Sequence, residues 1–202
     1  MRTVTCICEF SFDADLPDEI DLDAEPQRLK QILDRSFFTL TCPSCGTRLE
    51  PELKVRLLSR SRDLDVVVLP ELERMSFYRG KVALPKSSTV LVGFPELRER
   101  ARMYSDGLDP DSVEIIKYFL LVQAEERSPE AEISLSYGGK SEESLDFHAS
   151  GIKTGETAVL HVNRTLYEQT RTDKARTMRS EPFDRIFGGP YRSLRALEIE
   201  EE

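Results

Sequence analysis

A chain of 202 residues holds one generous domain or two small ones, and 39% hydrophobic against 32% charged residues gives a modest core under a heavily solvated surface. The formal net charge of −9 disfavours a general nucleic-acid binder, whose phosphate contacts need clustered Lys and Arg, and equally disfavours docking on an anionic membrane. No stretch approaches the roughly 20 apolar residues of a membrane span, and residues 1–6 read as a strand rather than a secretory signal, so a cytoplasmic location with reduced thiols is expected.

In chain order, residues 1–12 read as a strand carrying Cys6 and Cys8, and residues 13–23 as an acidic loop. Asp23 can cap a helix that has Pro26 in its first turn and Leu29, Ile32 and Leu33 on one face. Residues 36–41 are strand-like and lead into Cys42 and Cys45. Further β-type runs at 55–58, 66–69, 82–84 and 89–92 predict strands extending this module to residue 93.

Gly93-Phe94-Pro95 breaks that pattern, and residues 96–104 predict a helix with Leu97, Ala101 and Tyr104 on one face. Asp109-Pro110 supplies a cap and a first-turn proline for a second helix over 111–125, whose broad apolar surface must be buried on several sides. Beyond Pro129 the period falls to two: Ile133, Leu135 and Tyr137, then Leu145, Phe147 and Ala149, then Ala158, Leu160 and Val162. With turns at Gly138-Gly139 and Gly151, this predicts an antiparallel meander. Residues 164–195 are weakly patterned and basic, eight Lys/Arg against four Asp/Glu, and Leu197 with Ile199 suggests a closing strand. The expected fold class is α+β: a zinc-ribbon-like β module with an inserted helix over 1–93, then a helix pair and antiparallel β meander over 94–202.

The four cysteines carry the chemistry. A tetrahedral zinc site needs four soft thiolates, and a C-x-x-C turn delivers two from one tight loop. Cys42-Pro43-Ser44-Cys45-Gly46 suits this geometry, with proline stiffening the turn and glycine free to take a positive φ at its exit. The first pair is less regular, since Cys6-Ile7-Cys8 has one intervening residue and Glu9 stands where glycine is expected. In an extended strand residues 6 and 8 share a face, so all four, Cys6, Cys8, Cys42 and Cys45, are candidate ligands of a structural Zn²⁺. Buried free cysteines, a redox dithiol and a different thiolate-bound metal such as iron remain alternative readings.

The cysteine pairs around a helix-bearing insert, the second spelled Cys42-Pro43-Ser44-Cys45-Gly46, resemble the bacterial and archaeal CpXC domain. The likeness continues through Phe94-Pro95-Glu96-Leu97-Arg98-Glu99-Arg100, Asp106-Gly107-Leu108-Asp109 and Ile115-Ile116-Lys117-Tyr118, spanning residues 5–122. The resemblance implies a zinc ribbon with Cys42 and Cys45 as ligands and Cys6 and Cys8 as their partners, the first pair departing from C-P-x-C by lacking the proline and one residue. It supplies no catalytic residue.

Other constellations read more simply. His148 and His161 lie on strand faces opposite the apolar one and suit a solvated surface better than a metal pair. The Asp13, Asp15, Asp18, Glu19, Asp21 and Asp23 series lacks the spacing of a Ca²⁺ loop, and Gly188-Gly189 precedes a proline rather than a helix. The basic 164–195 segment is a candidate contact for an acidic partner, though residues 1–50, with five Lys/Arg and ten Asp/Glu, should repel phosphate backbones. The expected function is a non-enzymatic zinc-binding protein serving as a protein-interaction or scaffold module, with a partner and oligomeric state the sequence does not name. A thiol redox or metal-sensing role for the same cysteines is the alternative.

Overall fold

A computed structural model describes residues 1–199. It is a mixed α+β protein whose elements run β1 (Arg2–Thr5), β2 (Ser11–Ala14), β3 (Glu19–Asp21), α1 (Gln27–Leu33), β4 (Leu40–Thr41), β5 (Arg48–Leu49), β6 (Val55–Ser59), β7 (Leu64–Leu69), α2 (Arg74–Tyr78), β8 (Thr89–Val92), α3 (Gly93–Ser105), α4 (Pro110–Arg127), β9 (Ser134–Lys140), β10 (Ser144–Ser150), β11 (Thr157–Asn163), α5 (Arg164–Thr177) and α6 (Phe183–Phe187). Two compact units divide the chain, Met1–Arg98 and Glu99–Glu202.

In the first unit, β6 and β7 form a hairpin at the centre of a four-stranded sheet ordered β3-β6-β7-β8, with β3 and β8 joining in parallel. The alternating burial of β6 places Val55, Leu57 and Ser59 inward. β3 corrects the reading of residues 13–23 as loop. It is held by backbone bonds from Arg56 N–H to Asp18 O (2.8 Å) and from Leu22 N–H to Leu58 O (2.8 Å), and Ile20 is buried between two exposed acids.

Asp23 does not cap α1, whose N-cap is Pro26. Its carboxylate instead accepts from the Ser61 hydroxyl (2.6 Å), the Ser59 hydroxyl (2.7 Å) and the Ser61 N–H (3.0 Å), pinning the β6–β7 turn. Residues 82–84 form no strand. Phe37, Phe38 and Phe94 make a buried aromatic trio, with ring centroids 4.2 Å apart for the first pair and 5.7 Å between Phe37 and Phe94.

The second unit is built around α4. The Asp109 carboxylate caps it by accepting from Ser112 N–H at 3.0 Å, and Pro110 occupies its first turn. One side of the helix contributes Val113 and Ile116 to a core completed by Tyr137, Leu145, Phe147, Val162 and Tyr167. Another side places Ile115 with Phe183, Ile186, Phe187 and Leu194. The expected meander is present as β9-β10-β11, antiparallel throughout, with a bulge beside Asp146.

The basic segment, in contrast, is mostly helix. Asn163 caps α5 by accepting from Thr165 N–H (2.7 Å), and the helix buries Tyr167, whose hydroxyl accepts from Asp109 N–H (2.8 Å). The closing strand expected at Leu197 is a 3₁₀ turn, Leu194–Glu198.

Candidate metal centre

Each cysteine pair occupies the turn of a short antiparallel hairpin. Cys6 and Cys8 lie between β1 and β2, and Cys42 and Cys45 between β4 and β5. The expectation of one continuous strand over 1–12 is therefore corrected: the chain reverses at Cys6, and a tight turn, not an extended face, gathers the first pair.

The two turns are built alike. Cys42 N–H donates to Thr47 O and Gly46 N–H to Cys42 O, both at 2.9 Å; in the first turn Cys6 N–H donates to Phe10 O and Glu9 N–H to Cys6 O, also at 2.9 Å. The residue after the second cysteine is left-handed in both, with φ of 74° at Gly46 and 68° at Glu9. The first turn is the second shortened by one residue. A Cβ on Gly46 would meet nothing within 4 Å, so glycine serves the backbone angle there rather than a close approach. Glu9 adopts the same angle at a steric cost of about 1–2 kcal/mol.

These turns bring all four sulfurs within 4.8 Å of one another. Across the turns, Cys6 Sγ lies 3.6 Å from Cys45 Sγ and Cys8 Sγ 3.8 Å from Cys42 Sγ. Disulfide sulfurs stand about 2.05 Å apart, and the four cysteines are free. A tetrahedral ion with metal–sulfur bonds of about 2.3 Å sets its ligands about 3.8 Å apart along each edge, and the two cross-turn separations lie near that value, so the cluster could hold such an ion. One cysteine of each pair, Cys6 and Cys42, is buried, and the other, Cys8 and Cys45, is exposed.

The electrostatics agree with shared ionisation. The Cys8 N–H favours the Cys6 thiolate, but burial and the three neighbouring sulfurs push the Cys6 thiol up to about 12. The Thr47 hydroxyl, 3.1 Å from Cys45 Sγ, together with the Thr47 N–H, brings the Cys45 thiol down to about 6. Four thiolates cannot occupy this volume without protons or a cation among them. Thr47 is a contributor that motif reading passes over; its only sequence signal is its place directly after the turn glycine.

The remaining candidates separate. His161 Nδ1 lies 2.8 Å from Asp146 Oδ1, while the His148 ring sits over Gly138, where an added Cβ would meet it at 2.7 Å. The connector acids serve their own surroundings: Asp13 accepts from Thr3 and Asp21 from the Asp23 N–H. Several cations of the basic segment pair within their own unit, Lys174 with Asp109, Arg192 with Asp111 and Arg171 with Glu168. Among the described residues the cysteines are the one cluster of metal-ligating side chains, and no helix is long and apolar enough to cross a membrane.

A relative in Treponema pallidum (strain Nichols), described as "Uncharacterized protein", is 26% identical over 214 residues covering 96% of this chain and 97% of its own length. No solved structure matches the chain. The family profile described as CpXC protein matches residues 4–117, a span that begins before Cys6, contains both cysteine turns and ends within α4, and the chain belongs to that family.

Proposed function

We propose that this is a non-enzymatic zinc-binding protein of the cytosol, a protein-interaction or scaffold module whose two cysteine hairpins form a zinc-ribbon-like element around a structural Zn²⁺. The observation that carries this reading is the four-sulfur cluster, with its 3.6 and 3.8 Å separations across two similarly bonded turns. Cys6, Cys8, Cys42 and Cys45 would fill all four positions of a tetrahedral ion and leave none for water or substrate, the arrangement of structural rather than hydrolytic zinc. Docking on nucleic acid is disfavoured by the net charge of −9, to which a Zn²⁺ held by four thiolates would add about two negative charges. The test is metal content of protein purified without added metal, with thiol titration before and after chelation. One zinc per chain with all four thiols protected is the expected result; no metal, or protection of Cys42 and Cys45 alone, would overturn it.

A second reading, a thiol redox or metal-sensing protein, is favoured by the exposure of Cys8 and Cys45, one on each turn. Peroxide would take two electrons from a pair of thiolates, forming a disulfide and water and releasing the ion. Reversible zinc release under mild peroxide supports this role, and zinc fully retained under peroxide removes it.

A further inference from the structure

A cleft of about 590 Å³, lined by none of the cysteines, opens in the first unit. Its floor follows one row across the four-stranded sheet, where Glu19, Arg56 and Val67 are successive partners. The loop at Ala83, Leu84 and Pro85 forms an apolar wall. Clefts of this size with an apolar lining and a few fixed polar groups are the usual form of small-molecule sites.

Two cations stand at the rim, and their partners differ in kind. The Arg2 guanidinium donates to the Asp18 carboxylate and, at 2.6 Å, to Lys54 O. The Lys54 ammonium donates only to Ala83 O, at 2.9 Å, and pairs with no carboxylate among the described residues. Arg56 is fully engaged, bidentate on Asp65 (2.9 and 2.7 Å) and 3.2 Å from Glu19. Arg2 and Lys54 thus line the same cleft as the Asp18 carboxylate, and only Arg2 is bonded to it. The Asp18 side chain is 89% exposed, so its hold on Arg2 is a screened surface contact that a better-buried anion can displace.

We propose that this cleft binds a small amphipathic carboxylate. Its head group takes the place of Asp18 on Arg2, with Lys54 lining the same cleft, and its aliphatic tail lies along the Ala83–Pro85 wall. The head is a carboxylate because Arg2 already grips one there. The tail is apolar because the floor and wall beyond the rim offer it no charged partner other than the engaged Arg56 and Glu19.

The test uses the full chain and octanoate as probe, followed by calorimetry and amide NMR shifts, with octanol as the uncharged comparison. Octanoate should bind in the millimolar range or tighter, and octanol about tenfold more weakly. Arg2→Gln should weaken octanoate about tenfold, and Ala83→Trp should block it. The deciding variant is Asp18→Asn, an exposed change that removes the internal competitor and should tighten octanoate several-fold. No binding of octanoate, equal binding of octanol, or an Asp18→Asn affinity that is unchanged or weaker would each overturn the assignment.

Discussion

Lys117 offers the sharpest test of how the second unit is held together. It lies inside α4 with its side chain almost wholly buried, and its ammonium sits 3.0 Å from Glu99 on α3 and 3.0 Å from Glu114 one turn earlier. Both carboxylates have further donors: Glu99 accepts from Tyr137 N–H of β9 at 2.6 Å, and Glu114 from Leu194 N–H at 2.8 Å. One cation thus joins α3, α4, the meander and the C-terminal turn. Burial disfavours charge on Lys117, yet the two carboxylates outweigh it and raise the ammonium above its ordinary value. Burial likewise pushes Glu99 up, against the pull of Lys117.

Lys117→Met keeps the volume and removes the charge, leaving two carboxylates buried together. Breaking a buried pair in this way costs about 3–5 kcal/mol, because the surviving charges lose compensation they cannot recover from water. At about 2–4 °C per kcal/mol for a chain of this size, the melting temperature should fall by about 6–20 °C. The loss should also depend on pH. Without Lys117 the folded-state pKa of Glu99 rises further above its unfolded value, so the variant is least destabilised in acid and loses stability as pH rises through that folded pKa. Tyrosine fluorescence suits the assay, since the chain has no Trp and five of its six Tyr lie in the second unit. Urea unfolding at about pH 5 and about pH 8 gives the comparison. A loss below about 1 kcal/mol, or an equal loss at both pH values, would refute the account of Lys117 as compensator.

The left-handed residues of the cysteine turns predict opposite signs: Gly46→Ala should cost about 1 kcal/mol and Glu9→Gly should gain about as much, both read by denaturant midpoints in metal-loaded protein. Asp109→Ala removes the α4 cap and the Lys174 contact, and should lower stability by about 1–2 kcal/mol in the same assay. Acid should loosen the fold through Asp23, Asp65 and Asp109, held below their ordinary values by the Ser61 hydroxyl, by Arg56, and, despite burial, by Lys174 with Ser112. Their stabilisation is complete above the unfolded carboxylate pKa of about 4 and is lost as pH falls below it, which a pH series of melting temperatures will show.

Elements with two independent local signals were legible in the sequence. α4 announced itself by a cap, a proline and a long apolar run, and β9 to β11 by period-two alternation, although Gly138-Gly139, expected as a turn, lies within β9 and the chain reverses after Lys140. Elements stabilised by a single buried side chain were not. β3 buries only Ile20 within an acidic run, and its hydrogen bonds come from β6, far along the chain. α5 buries only Tyr167, and the contact that anchors it reaches back to Asp109. At the candidate metal centre the four cysteines were visible as residue types, but their geometry was not. A strand reading of Cys6-Ile7-Cys8 follows from period-two alternation, whereas the actual turn rests on a positive φ at Glu9, a residue with no intrinsic preference for it.

That misreading bears on what holds the first unit's cysteine element together. Its hairpins pair four residues with four and two with two, shorter than two-stranded structures that persist in water. Neither turn can gain stability from strand length, and the first also carries the strain at Glu9. The sulfur cluster is the contact that joins them, and thiolates crowded to within 4.8 Å repel unless a cation lies among them. An ion at this centre would therefore contribute folding free energy directly, with the strained backbone of Glu9 supported by the bond to Cys8 beside it. The same turn aims Ile7, 84% exposed between its two cysteines, into solvent. Ligand geometry and the display of that apolar tip are then one backbone conformation, so removing the ion should release both together, a coupling expected of a structural site and absent where the cysteines merely fill a core.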